Sequence, residues 1–308
     1  MKVVGRQLFD ASGTPFLVRG LEGWFGPNAL SNVSGWMASV ASSGCNAFRA
    51  QTVVQSTDLA SVEKLIQGLY ANKIVYFANC DAMTDGPDQA EWFGRPAVQA
   101  LLKKYEQNLI IDASIEDQPD AENSGAITQW VNDTKALIVK VRGYGYKAPI
   151  LVGTLNSGRY LKGLLDHGQE FVDADPLKNL ILNCQMYWGS YSGGFSYQQL
   201  SGFSTGDQGV SEAFAAMATK PFLIQLGLDC QDSGGNWAQI PYQLQMTLAQ
   251  NVSVGTMWWQ WKDPGDNDPN SLVLDSFGGA TTSNLTALGQ IVINTHPASI
   301  KKTSKKYT

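Results

Sequence analysis

The sequence predicts a single (β/α)8 barrel, on three observations. Eight apolar runs of strand length recur along its 308 residues, amphipathic helical patterns lie between them, and no linker or fixed-period repeat divides the chain. Strands alternating with helices read as a parallel sheet joined by right-handed crossovers. A barrel of this kind takes about 250 residues as one domain. An open doubly wound sheet is the alternative, but no Gly-x-Gly-x-x-Gly follows the first strand.

The elements follow in chain order. Residues 8–16, with Ser12-Gly13 at a turn, read as a β-hairpin, so 1–15 is expected to cap the barrel floor. Strands are expected at 16–20, 46–50, 74–78, 109–113, 150–153, 180–184, 222–225 and 255–259. Val62, Leu65, Ile66 and Leu69 fall at helical spacing, with Thr57 or Asp58 as N-cap. Ile127, Trp130, Val131, Thr134, Ile138 and Val141 repeat the pattern, and Gly143 can end that helix. Trp36, Trp92 and Trp130 belong to helical segments and to packing. His167 is expected in a loop before the sixth strand. The end of the domain, about 298–308 with Lys301, Lys302, Lys305 and Lys306, reads as a solvated tail.

Composition narrows the function. The net charge of −5 argues against a nucleic-acid partner, which calls for a basic face. No apolar run approaches the ~20 residues of a membrane span. No apolar core follows Met1 and Lys2, so no signal peptide is read here, as in a mature secreted chain. Cys45, Cys80, Cys184 and Cys230 are far apart and away from both histidines, His167 and His296. That spacing disfavours a zinc site, leaves disulfides open, and fits small buried side chains. No metal or other cofactor is expected. Sequons at Asn32, Asn132, Asn251 and Asn284 give slight support for secretion.

Chemistry in such barrels sits at the C-terminal strand ends. Those ends carry Glu22 and Trp24; Arg49; Asn79, Cys80 and Asp81; Asp112 to Asp117; Gln185, Met186, Tyr187 and Trp188; Gln225, with Asp229 and Asp232 beyond; and Trp258 to Lys262. Aromatic faces stack on sugar rings, while amides and carboxylates bond hydroxyls. The rim reads as a carbohydrate site.

The chain resembles glycoside hydrolase family 5, nearest in pattern to small bacterial endo-β-1,4-mannanases and cellulases. The resemblance rests on residues 8–20, on Gly44-Cys45-Asn46-Ala47-Phe48-Arg49, on residues 171–179, on Trp259-Gln260-Trp261-Lys262 and on Asn284-Leu285-Thr286-Ala287. Their order covers nearly the whole chain. The family implies retaining hydrolysis of β-glycosidic bonds by two glutamates, with carboxyls ~5–5.5 Å apart. It places the acid/base at Glu116, where the preceding Asn is Ile115. A register shifted by two would instead read Asp117-Gln118. It places the nucleophile at Gln225, whose neutral amide is a poor nucleophile. The family histidines fall on Cys80 and Gln185, whereas Arg49, Tyr187 and Trp259 match their counterparts.

The resemblance thus implies acid/base and nucleophile positions at Glu116 and Gln225, with ends ~5–6 Å apart as in retaining enzymes. It implies substrate contacts from Arg49, Cys80, Gln185, Tyr187, Trp24, Trp259 and Trp261. Beside this stand plainer readings: Arg49 pairs with a barrel carboxylate, and Asp81, Asp229 and Asp232 are loop acids. Four departures at one site point to a non-hydrolysing protein that binds β-linked polysaccharide or oligosaccharide or serves a structural role; it is expected to be extracellular and monomeric. The alternatives are a mannanase or glucanase altered at 225 or using a substitute carboxylate, and a matrix protein with no sugar site.

Overall fold

The computed structural model describes residues 1–24, 32–51, 58–80, 86–115, 124–187, 191–192, 195–204, 206–226, 229–231, 237–261, 270–273 and 284–308. The chain opens with an antiparallel hairpin of β1 (Lys2–Val4) and β2 (Gln7–Phe9). Its turn holds Gly5, at φ 60°, a conformation cheap only for glycine. The expected hairpin at 8–16 forms: its arms meet at a Phe9–Pro15 bridge, with Phe16 N–H donating to the Leu8 carbonyl at 2.8 Å and Asp10 N–H to that of Thr14 at 2.9 Å. Asp10 organises that turn, accepting from Ser12 and Thr14 backbone N–H at 2.9 Å each.

Eight parallel strands then close a barrel. They are β3 (Arg19–Trp24), β4 (Ala47–Gln51), β5 (Val75–Ala78), β6 (Leu109–Asp112), β7 (Ile150–Val152), β8 (Leu180–Gln185), β11 (Phe222–Leu226) and β14 (Gly255–Trp258). Each pairs with its sequence neighbour in the barrel, and β14 closes on β3. Two short antiparallel ribbons sit between barrel strands: β9 (Tyr191–Ser192) with β10 (Phe195–Ser196), and β12 (Asp229–Gln231) with β13 (Trp237–Gln239).

Period-2 alternation divides the strands into two cores. Val18, Ala47, Val75, Phe77, Ile110, Leu151, Ile181 and Met257 fill the barrel axis, with Val3 and Phe16 from the N-terminal segment below. Their alternates, among them Leu21, Phe48, Tyr76, Ile111, Val152, Leu182 and Trp258, face the helices. Gly20 leaves room for its register partner Met257 on β14, because a Cβ there would lie 2.1 Å from the Met257 Sδ. Helix Leu59–Ala71 starts at the cap Asp58, whose Oδ1 accepts from Ala60 N–H at 3.1 Å. It buries Val62, Leu65, Ile66 and Leu69. Helix Ser124–Gly143 buries Trp130, which meets Phe171 edge-on at 5.1 Å. That helix also holds Arg142, whose buried guanidinium forks onto Asp175 at 2.8 and 2.9 Å ahead of β8. Trp36 and Trp92 are likewise buried.

Two expectations are corrected. His167 lies within helix Leu161–Ala174, and its Nδ1 sits 2.8 Å from Glu170. The Lys-rich end is packed rather than solvated. It forms helix Ile300–Thr303, buries Tyr307 under the barrel, and sends Lys306 to the Cys45 carbonyl. Thr308 donates to Asp10 through its backbone N–H at 3.0 Å and its hydroxyl at 3.1 Å. Among the described residues no helix is long and apolar enough to cross a membrane.

Candidate ligand site at the barrel mouth

The C-terminal strand ends converge on a buried charge cluster. Arg49, an inward residue of β4, reaches Glu22 on β3 with Nη1 at 3.0 Å from Oε1. Its Nε lies 2.5 Å from Asp112 Oδ2 on β6, an ion pair by distance rather than an aligned hydrogen bond. All three side chains are at most 3% exposed. Asp112 is steadied from its other oxygen, which accepts from the Ser114 hydroxyl at 2.7 Å and its backbone N–H at 3.2 Å. Gln89, buried in helix Gly86–Gly94, donates to the Ser114 carbonyl at 2.5 Å. One guanidinium against two carboxylates in a low-dielectric interior holds its partners in one geometry. Asp112 also disfavours ionisation of Tyr76 behind it, whose hydroxyl burial pushes well above its usual range. Among the described residues, no group of three or more His, Cys, Asp or Glu side chains is placed to hold a metal.

Position 225 is described through its backbone. Gln225 pairs in register with Gln185 on β8 and with Met257 on β14. Ile181 and Met257 face the barrel axis, so alternation along β8 and the register across β11 put positions 185 and 225 on the inward face. Gln185 is 9% exposed. It packs against the turn after β7, where a Cβ on Gly158 would meet its Nε2 at 2.6 Å. That turn runs left-handed through Asn156, Ser157 and Gly158, at φ 59°, 53° and 76°. Tyr187 and Trp259 are half-buried beyond their strands.

Two expected contacts lie elsewhere. Trp261 is 1% exposed in the helix-facing core, and its indole N–H donates to Ser39 Oγ at 3.0 Å. It packs β3 against helix Val33–Ser42 instead of offering a face to a sugar. Cys80 is buried in the same outer layer with Ala78, and the inward neighbour is Asn79. Ile115 is also buried in that layer, so no amide stands at its position. Glu116, Asp81, Trp188, Asp232 and Lys262 lie outside the described residues, and with Glu116 the expected spacing to Gln225. Trp24 ends β3 and Asp229 begins β12; for both, only the backbone is described. Cys45, Cys80 and Cys184 form no disulfide. Burial pushes the Cys45 and Cys184 thiols up, consistent with inert packing.

Sequence reading named Arg49 and anticipated a carboxylate partner, but did not single out Glu22 and Asp112 or the support from Ser114 and Gln89. Alternation was the available signal: position 112 falls two after inward Ile110, and 22 two after Gly20.

No family model matches the chain. It is 27% identical over 205 residues to a mannan endo-1,4-β-mannosidase of Salipaludibacillus agaradhaerens, covering 62% of this chain and 63% of that protein. It is 30% identical over 167 residues to the β-mannanase/endoglucanase A of Caldicellulosiruptor saccharolyticus, covering 52% of this chain. That match spans only 12% of the relative, so the chain corresponds to less than two thirds of either protein. The crystal structure of a β-mannanase from Streptomyces thermolilacinus with mannohexaose superposes with a TM-score of 0.79 at 20% identity, covering 100% of this chain and 97% of that one. The chain therefore shares the (β/α)8 fold of the β-mannanases.

Proposed function

We propose that this is a glycoside hydrolase family 5-like protein that binds a β-linked polysaccharide or oligosaccharide at the barrel mouth without hydrolysing it. The observation that carries the reading is Gln225, a neutral amide on the inward register beside Gln185. Covalent retaining catalysis needs a carboxylate that attacks carbon. The two mouth carboxylates with described side chains, Glu22 and Asp112, are both buried and paired to Arg49. A carboxylate buried against a guanidinium is stabilised as the anion, which lowers its reactivity as a nucleophile. The relatives' names supply the ligand class, mannan or a similar β-glycan, and such a ligand implies an extracellular setting. Half-buried Tyr187 and Trp259 are the aromatic surfaces for a sugar ring. Glu116 stands at the acid/base position, where an acid without its nucleophile lacks a hydrolytic role.

The test is incubation of the purified chain with mannan and with carboxymethyl-cellulose, followed by chromatography of soluble products. No products above buffer are expected, together with retention of the protein on insoluble mannan or on cellulose. Turnover at the rate of an ordinary mannanase would favour the second reading, a retaining enzyme with a substitute carboxylate, which the relatives' printed activities support.

A further inference from the structure

We infer that Asn79 is the residue through which the third barrel strand reads the ligand, its amide taking a vicinal pair of sugar hydroxyls. The inference rests on the glycan-binding reading and adds a contact to it. Along β5, Val75 and Phe77 belong to the axial core, while Tyr76, Ala78 and Cys80 belong to the helix-facing core. Alternation turns Asn79 toward the axis. It sits one residue past the strand, at the C-terminal face where barrel ligands bind. The β5–β6 register, Phe77 with Ile110 and Ala78 with Ile111, sets Asn79 next to Asp112.

Asn79 is 1% exposed, and among the described residues neither Nδ2 nor Oδ1 has a hydrogen-bond partner. Its register neighbour Asp112 is already held by the Ser114 hydroxyl on one oxygen and faced by Arg49 on the other. A buried amide lacking both bonds is costly, and an apolar side chain of the same size would avoid the cost. The cost is recovered when a group that both donates and accepts arrives. Two adjacent ring hydroxyls do this, one accepting from Nδ2 and the other donating to Oδ1. In the free protein the amide is closed to solvent, so binding includes uncovering it. The unmet bonds favour that step.

The experiment compares the wild-type chain with Asn79→Leu and Asn79→Ala, measuring mannohexaose and cellohexaose affinity by calorimetry and Tm by scanning calorimetry. The expected result has two parts. Asn79→Leu raises Tm by a few degrees, because the unmet amide is gone. Both variants lose about tenfold or more in affinity for the hexasaccharide that the wild type binds. Wild-type binding with variants unchanged within twofold overturns the inference and spares the glycan reading. A wild type that binds neither sugar overturns both. A clear fall in Tm for Asn79→Leu, with affinity intact, assigns Asn79 to packing and overturns the inference.

Discussion

Arg49 and Glu22, neighbours in register on β4 and β3, form a buried ion pair at 3.0 Å, and Asp112 closes on the same guanidinium from β6. This cluster pins three of the eight strands at the level where the ligand site begins. Removing the cation would leave two carboxylates buried without it. Arg49→Leu is expected to cost about 3–5 kcal/mol, the range for breaking a buried pair from one side. Urea unfolding measures it, and a loss under about 1 kcal/mol would mean the cluster is solvated or protonated in the native state.

Restoring the family carboxylate is not expected to restore hydrolysis. Gln225→Glu places a third acid among inward positions whose described cation already faces two. Like charges in one buried site raise each other's pKa, so the new group tends to stay protonated and unreactive. Ile115, Cys80 and Gln185 would still lack the amide and imidazole donors that the family resemblance implies. Each such contact is worth about 2–3 kcal/mol of transition-state stabilisation. A reducing-sugar assay on mannan reads the outcome. Return of activity by several orders of magnitude would instead indicate an altered active enzyme.

The floor of the molecule should weaken in acid. Burial of Asp10 works to raise its pKa, but bonds from Ser12, Thr308 and Thr14 outweigh it and hold the carboxyl well below the usual range. A depressed folded pKa stabilises at pH above the unfolded value near ~3.9 and is lost as pH falls toward the folded one. Asp10→Asn is expected to cost about 1–2 kcal/mol at pH 7 and progressively less below about pH 4. Tm measured from pH 2 to 7 on both proteins tests this. A difference that does not change with pH would remove the charge from the argument.

Ser157 is an exposed non-glycine residue at φ 53°, between Asn156 and Gly158 in the same left-handed region. That conformation costs L-residues roughly 1–2 kcal/mol, and glycine returns part of this as unfolded-chain entropy. Ser157→Gly is therefore expected to stabilise by up to about 1 kcal/mol in thermal unfolding. Destabilisation would show that the serine holds the turn against Gln185.

The barrel was legible because its strands alternate: Val75, Phe77 and Ile110 look inward, and Tyr76 and Ile111 outward, in a pattern that apolar runs display. The floor was not. Lys2–Val4 is too short to register as a strand, and four lysines masked the packing of Ile300 and Tyr307. At the mouth, Arg49 could be named from its place in a strand, while its partners come from strands distant in sequence. The parity that turns Cys80 outward and Asn79 inward was available, but a motif-based alignment pointed one residue away. Trp261 shows the same limit: an aromatic just past a strand reads as rim, and only the Ser39 contact reveals it as packing.

The central claim is binding without turnover, and one calorimetric titration reads both. Mannohexaose is injected into the wild-type chain, and the heat is followed for hours after saturation. The account predicts a saturable binding heat followed by a flat baseline, with the hexasaccharide recovered intact. No binding heat here or with cellohexaose, or a sustained hydrolysis heat with shorter mannosides recovered, would contradict it.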